Sequence, residues 1–381
     1  MLNFNKPLIT LEIANNHNGF IEHGKKILNS YHKITSKYNS VFEFAVKFQY
    51  RNLDTFIHDS FKGSELKYVK RFEETRLSIA EQIELKEYAQ NLNFTTMCTP
   101  FDEASIERVI KEKYDILKIA SCSIDDWPLL NSLKECKIPI IASLGGGNLN
   151  DISKLNSFFR HAGFKYALQY CVGLYPTNEN QTNLSFLKFL INRYPKLDFG
   201  YSTHEDPSNC LSGPMALAMG AKLFEKHICI VDESKGIFAN KYSSTPSQLD
   251  NWLKAMEVAM NLMGSVNARE DVLKLERSSL SKLKRGVYIN KKVFANSRLE
   301  SNDVEFYGVK IKKGKYKNVV LVYGKVGIKE DQEIGIARLS FTYNIQDPAE
   351  FDSAVLEEDE YFKNFLGAIL QHIITESLEE A

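Results

Sequence analysis

No two cysteines in this 381-residue chain stand in a CxxC pair: the six (Cys98, Cys122, Cys136, Cys171, Cys210, Cys229) are scattered, most of them inside apolar runs. That argues against a zinc ribbon or a dithiol redox motif and reads as buried free thiols in a reducing compartment. An excess of charge of either sign is also lacking, since Lys plus Arg and Asp plus Glu number 48 each. No global field therefore draws the chain to nucleic acid or to an anionic membrane surface, and any anion binding has to be local. No window approaches the roughly 20 apolar residues that span a bilayer, and the opening MLNFNKPLITLEI lacks a basic stretch followed by a signal-like apolar core,. The expectation is a soluble, cytoplasmic protein that contacts neither nucleic acid nor membrane. Internal repeats and low-complexity linkers are missing too. So is a GxGxxG turn after the first strand-like run, which ends in NNHNG; this weighs against an open dinucleotide-binding sheet.

What is present is a regular alternation. Short apolar, β-branched or aromatic runs fall at 8–14, 42–49, 94–100, 116–121, 138–145, 166–172, 197–204 and 221–229. Helix-period segments separate and follow them, among them 22–38, 79–92, 103–113, 128–136, 151–161, 183–194, 210–219 and 246–263. Eight strand–helix units in about 250 residues are the count and size of a closed α/β barrel, the (β/α)8 or TIM fold. The expected catalytic domain is 1–265. A charged linker follows at 266–284, then short antiparallel strands with polar turns make a small β-rich domain at 285–345. The remainder, 346–381, is an acidic tail with one apolar helix, FKNFLGAILQHII.

In such a barrel the chemistry sits at the C-terminal ends of the strands, so polar residues there are informative. Glu12, Lys47, Gln49, Thr99, Lys118, Ser121, Ser143, Tyr175, Ser202, His204, Glu225 and His227 all fall at or just past such ends. A single Ser or Thr of this kind is usually a satisfied core residue; a dozen on one face are not so easily explained. Strand alternation puts Lys47 with Gln49, Ser202 with His204, and Glu225 with His227 on common faces. Because the first and eighth strands adjoin in a closed barrel, His204, His227 and Glu12 can converge, and two imidazoles with a carboxylate suit a manganese-like ion. Lys47 and Lys118 are costly to bury unless an anion answers them, and a small polyanionic substrate would. A desolvated lysine also permits a Schiff-base aldolase. Simpler readings cover the rest: His17 shapes a loop, His23, His32, His58, His161 and His372 lie at the surface, Trp127 and Trp252 pack helices, and KIKKGKYK at 310–317 is a solvated hairpin.

Taken in order, LEIANNHNG, AVKFQ, CTPF, LKIAS, GYSTH and FEKH resemble the motif series of the sialic acid synthase family, which includes legionaminic and pseudaminic acid synthases. The resemblance spans roughly residues 8–265 and extends weakly over 281–340 to the family's small antifreeze-like (SAF) domain. It implies a transferase condensing phosphoenolpyruvate with an amino-sugar acceptor, a divalent metal (Mn2+, or Mg2+ or Co2+), and a domain-swapped homodimer. Carried over by position, His204 and His227 match the metal ligands. Lys47, Thr99, Lys118, Ser121, Ser143 and Ser202 match residues around phosphoenolpyruvate, and Glu12, Gln49 and Tyr175 face the acceptor. The departures fall on the sugar side. Ser123 follows KIASC where the family has an acid, Gly173 replaces an asparagine in CVGLYP, Asn240 in FANKYSSTP is nearest to a sugar-binding aspartate, and EFYGVKIKK lacks the small domain's arginine. Two alternatives stay open: a metal-dependent barrel aldolase or synthase using another aldehyde, and a non-catalytic relative acting as a binding subunit.

Overall fold

The structure, a computed structural model, describes residue 2 and residues 4–265, 268–281, 294–301, 304–331 and 336–379. Two compact units divide the chain, Met1–Gly264 and Ser265–Ala381. In the first, β1 (Leu8–Glu12), β2 (Glu43–Tyr50), β3 (Thr95–Pro100), β4 (Ile116–Ile119), β5 (Ile140–Ser143), β6 (Tyr166–Cys171), β7 (Phe199–Thr203) and β8 (Leu223–His227) pair in sequence order. All are parallel, and β8 closes on β1 to complete the expected barrel. Six of the eight strands, β2 and β3 excepted, end sooner than their apolar runs suggest. β1 stops at Glu12 because Ala14 takes a left-handed turn, φ 48°, with its N–H donating to Glu12 Oε1 at 2.6 Å.

The barrel interior is layered, and the layers follow from alternation along each strand. At the N-terminal end Leu8, Ala45, Met97, Ile116, Ile141, Ala167 and Leu223 form a buried apolar plug with Leu2. Two residues further along, the inward positions become Lys47, Thr99, Lys118, Ser143, Gln169 and Glu225, all buried. Gly200 makes room at the plug, because a Cβ there would lie 2.6 Å from Leu223 O. The outward faces pack on the helical shell, whose largest fully buried side chain is Trp252. His23 is a correction: it is 1% exposed, because it falls on the stripe His23, Ile27, Tyr31, Ile34 that its helix, Ile21–Thr35, turns inward,.

The second unit carries β9 (Phe294–Ser301), β10 (Val304–Ile311), β11 (Val320–Asp331) and β12 (Ile336–Asp347) as an antiparallel sheet in the order β12-β11-β10-β9. The first part of the expected small domain, 285–293, lies outside the described residues. Ala268–Ser281 is a helix where a charged connector was expected; the segment contains neither Gly nor Pro, and the Arg269–Glu276 pair spans two turns,. In the tail, the helix Glu360–Glu379 buries Phe362, Leu366 and Ile369 against Val309, Ile311 and Leu321. Among the described residues no helix is long and apolar enough to cross a membrane.

Candidate functional site

The polar layer of the barrel is held by one carboxylate. Glu225, on β8, meets Lys47 Nζ at 2.7 Å and Lys118 Nζ at 2.5 Å. Lys47 also meets Glu12 at 2.6 Å, and Lys118 donates to Gln169 Oε1. Two ammonium groups and two carboxylates, all at most 5% exposed, thus share a pocket where none has bulk water. Burial works against charge on every one, and the pairings decide the outcome. Burial would lower Lys47, but Glu12 and Glu225 outweigh it and hold the ammonium above its ordinary range. Lys118, with one carboxylate beside it, is pushed down by burial to about 8. Burial raises Glu12, partly offset by Lys47. Glu225 also resists burial and stays well below the usual carboxylate range, because Lys118 and Lys47 both face it.

Above this cluster lie the imidazoles. The register aligns Glu12 with Lys47 on one side and His227 on the other, and His204 follows β7 directly. The two imidazole rings are 5.5 Å apart. His204 Nδ1 donates to Val172 O at 2.9 Å, which leaves Nε2 as the acceptor 3.4 Å from Ser202 Oγ. His227 Nδ1 is buried without a hydrogen-bond partner among the described residues. Burial lowers both imidazoles, so both are neutral at physiological pH. Tyr175 is half exposed, and its ring lies 4.2 Å from His204 and 5.3 Å from the Tyr242 ring. The two tyrosines make an aromatic wall beside the histidines.

The hydroxyls line the same mouth. Thr99 Oγ1 is buried with no hydrogen-bond partner among the described residues. Ser121 Oγ accepts from Gly145 N–H at 3.1 Å and lies 3.1 Å from Cys171 Sγ. A Cβ on Gly145 would stand 2.8 Å from that hydroxyl, so the first glycine of the GGG run permits a close backbone approach. Ser143 is buried at the end of β5, and Ser202 Oγ reaches Glu225 Oε1 at 3.4 Å. Gln49 accepts from Arg51 at 3.0 Å. Asn240 donates to Asn16 at 3.3 Å, and Asn16 in turn donates to Ile228 O at 2.7 Å, so Asn240 pins its loop to the turn after β1.

Glu12 adjoins His227 in register, and its carboxylate faces Lys47 and Ala14 N–H; among the described residues no three His, Cys, Asp or Glu gather to hold a metal. Glu225 was legible as a polar strand end but not as the hub of the cluster, and Gln169, Tyr242 and Arg51 went unread. Parity supplies a signal for two of them. Gln169 sits two residues beyond the inward Ala167, and Arg51 two beyond Gln49.

A family model, NeuB family, matches residues 43–268. Among solved structures, the Chromobacterium violaceum protein assigned as spore coat polysaccharide biosynthesis protein E is 38% identical with a TM-score of 0.71, covering 79% of this chain and 88% of that one. The N-acetylneuraminic acid (sialic acid) synthetase of Leptospira borgpetersenii, in complex with citrate, is 26% identical with a TM-score of 0.62, covering 74% and 96%. The N,N'-diacetyllegionaminic acid synthase of Legionella pneumophila is 27% identical over 68% of this chain and 73% of its own length.

Proposed function

The chain belongs to the NeuB family, and from that premise we propose that it condenses phosphoenolpyruvate with the open-chain aldehyde of a 2-acetamido sugar to give a nonulosonic, sialic-type acid and inorganic phosphate. The observation that carries the reading is the pair of buried lysines bridged by Glu225 directly below two neutral imidazoles. Lysines in a dry site answer an anionic donor strongly, because charge-assisted bonds gain in a low-dielectric pocket.

In the proposed reaction the ammonium groups of Lys47 and Lys118 receive the carboxylate and phosphate of phosphoenolpyruvate. Thr99, Ser121, Ser143 and Ser202 donate hydroxyl protons to the remaining oxygens. C3 of the enol phosphate forms a bond to the aldehyde carbon, whose oxygen takes up a proton and becomes a hydroxyl. Water adds to C2. The bond from C2 to the phosphate oxygen then breaks, so that phosphate leaves and a ketone remains. Glu12, raised by burial, is suited to hold a proton beside the acceptor, while Gln49 and Tyr175 position it.

The same resemblance implies a divalent ion, Mn2+ or else Mg2+ or Co2+, and His204 and His227 fit that role as neutral nitrogen donors, with a buried Nδ1 on His227 that has no partner among the described residues,. When bound, the ion supplies Lewis acidity to the acceptor carbonyl. A homodimer is also part of the proposal, and light scattering on the eluted protein checks it. Lys118, pushed down to about 8, has the property a Schiff-base aldolase would use, so borohydride inactivation in the presence of an aldehyde distinguishes that second reading.

The test is phosphate release from phosphoenolpyruvate with Mn2+ across 2-acetamido hexoses, 2,4-diacetamido hexoses and aldose phosphates, with His227→Ala as control. Release that requires one acceptor and disappears in the variant supports the reading. Release with no acceptor, or release that survives the variant, refutes it.

A further inference from the structure

Cys136 and Cys229 turn their thiols to backbone carbonyls, Ile138 O at 3.7 Å and Ser243 O at 3.6 Å, the behaviour of a small buried residue with a weak donor. Cys171 is placed differently. It ends β6 two residues beyond Gln169 and four beyond Ala167 of the apolar plug, so strand alternation turns it into the barrel one layer above the lysine cluster,. Its partner in register on β7 is Ser202. The residue is 4% exposed, and its Sγ lies 3.1 Å from Ser121 Oγ. A Cβ added to Gly145 would stand 2.8 Å from that hydroxyl and 2.9 Å from that sulfur, so the ends of β4, β5 and β6 meet at one point of the mouth.

Hydrogen-bond accounting assigns the thiol a task. A serine hydroxyl has one proton to give and two lone pairs to fill. One lone pair of Ser121 Oγ receives the Gly145 N–H at 3.1 Å. With the Ser121 proton turned to the sulfur, a weak acceptor, nothing of this hydroxyl would remain for a substrate oxygen. An anion in the mouth reverses that arrangement, because a hydroxyl bonds a charged oxygen far more strongly than a thiol sulfur. The thiol then gives its own proton to the second lone pair of Oγ, and the Ser121 proton is left with one direction, outward to the anion. Thr99 Oγ1, on the inward face of β3, is buried without a hydrogen-bond partner among the described residues and calls for an acceptor of the same kind.

We propose that Cys171 is a positioning residue: its thiol donates to Ser121 Oγ and, together with the Gly145 N–H, holds the Ser121 hydroxyl as a donor to an anionic oxygen of phosphoenolpyruvate. The assignment rests on the condensation reading for the identity of that anion. Cys171 acts through Ser121 and needs no contact of its own with the substrate.

The test is a double-mutant cycle read by calorimetric binding of phosphoenolpyruvate to wild type, Cys171→Ala, Ser121→Ala and Cys171→Ala/Ser121→Ala. Cys171→Ser serves as the conservative variant, and a urea melt of each protein separates lost binding from lost fold. The expected result is a dissociation constant raised about threefold to fivefold in Cys171→Ala, the loss of one weak hydrogen bond, and restored in Cys171→Ser, whose hydroxyl donates in place of the thiol. In the Ser121→Ala background the same change has no further effect, because its route to the anion is gone. A thiol that only fills space would give the same loss in both backgrounds. Wild-type affinity in Cys171→Ala, equal losses in the two backgrounds, or no rescue by Cys171→Ser overturns the proposal. If wild type binds no phosphoenolpyruvate, the condensation reading fails, and the same cycle titrated with inorganic phosphate decides the role of Cys171: the same non-additivity supports it, and additive losses or no phosphate binding overturn it.

Discussion

Glu225→Gln keeps the shape of the side chain and removes the charge that balances two buried lysines. Breaking a buried pair by deleting one partner costs about 3–5 kcal/mol when the orphaned charge cannot escape. Here it can escape. Lys118 already sits near 8, so at pH 7 its conversion to the neutral amine costs about one pH unit, or about 1.4 kcal/mol. The deficit of the variant at pH 7 should therefore fall at the low end of that range. The sign on acidification follows from linkage. The unfolded chain keeps its lysine protonated while the folded variant does not, so the variant gains stability with rising pH relative to wild type, in which Lys118 itself contributes no slope below about 8,. The deficit should grow by about 1.4 kcal/mol for each pH unit below 8 until Lys118 protonates within the variant. Urea melts of both proteins at pH 8, 7 and 6 read this directly. The double variant Lys118→Met/Glu225→Gln, which leaves the Lys47–Glu12 pair balanced, should lose the slope. A variant as stable as wild type, or a deficit independent of pH, would falsify the account of the cluster.

Three further outcomes are expected. Phosphoenolpyruvate binding should weaken above pH 8, where free Lys118 loses its proton, and binding at pH 9 should take up protons, visible as a buffer-dependent enthalpy; an enthalpy that does not depend on the buffer contradicts this. Thr99→Val should leave stability unchanged or slightly improved, because Oγ1 has no partner among the described residues to lose, yet weaken phosphoenolpyruvate binding about tenfold, the value of a charge-assisted bond; unchanged binding by calorimetry removes Thr99 from the site. Gly200→Ala places a Cβ 2.6 Å from Leu223 O and should cost about 1–3 kcal/mol by overpacking, read as a lowered urea midpoint for the barrel; a midpoint equal to wild type means that β7 and β8 can part without strain.

The barrel was legible because each strand is a short apolar run bounded by turn chemistry and the period changes cleanly between strand and helix. The same alternation placed Lys47, Lys118, His204 and His227 at the mouth, since inward parity and C-terminal position can be read from spacing alone. Glu225 was visible as polar but its role was not, because its lysine partners lie 178 and 107 residues away and only barrel closure brings them within reach. Arg51 escaped for the same reason, since the Phe72 and Phe101 rings that hold its guanidinium stand on separate segments. His23 was misread where local polarity outweighed period, although the i, i+4, i+8 series His23, Ile27, Tyr31 carried the burial signal,.

The most direct test of the central claim is transfer of carbon. The protein is incubated with phosphoenolpyruvate labelled with 13C at all its carbons, Mn2+ and the acceptor panel, and the products are weighed by mass spectrometry beside a phosphate assay. The account predicts an acid containing the acceptor and every labelled carbon, formed one-for-one with phosphate and missing in His227→Ala. Phosphate released with the label left in pyruvate, and no carbon joined to any sugar, would contradict it.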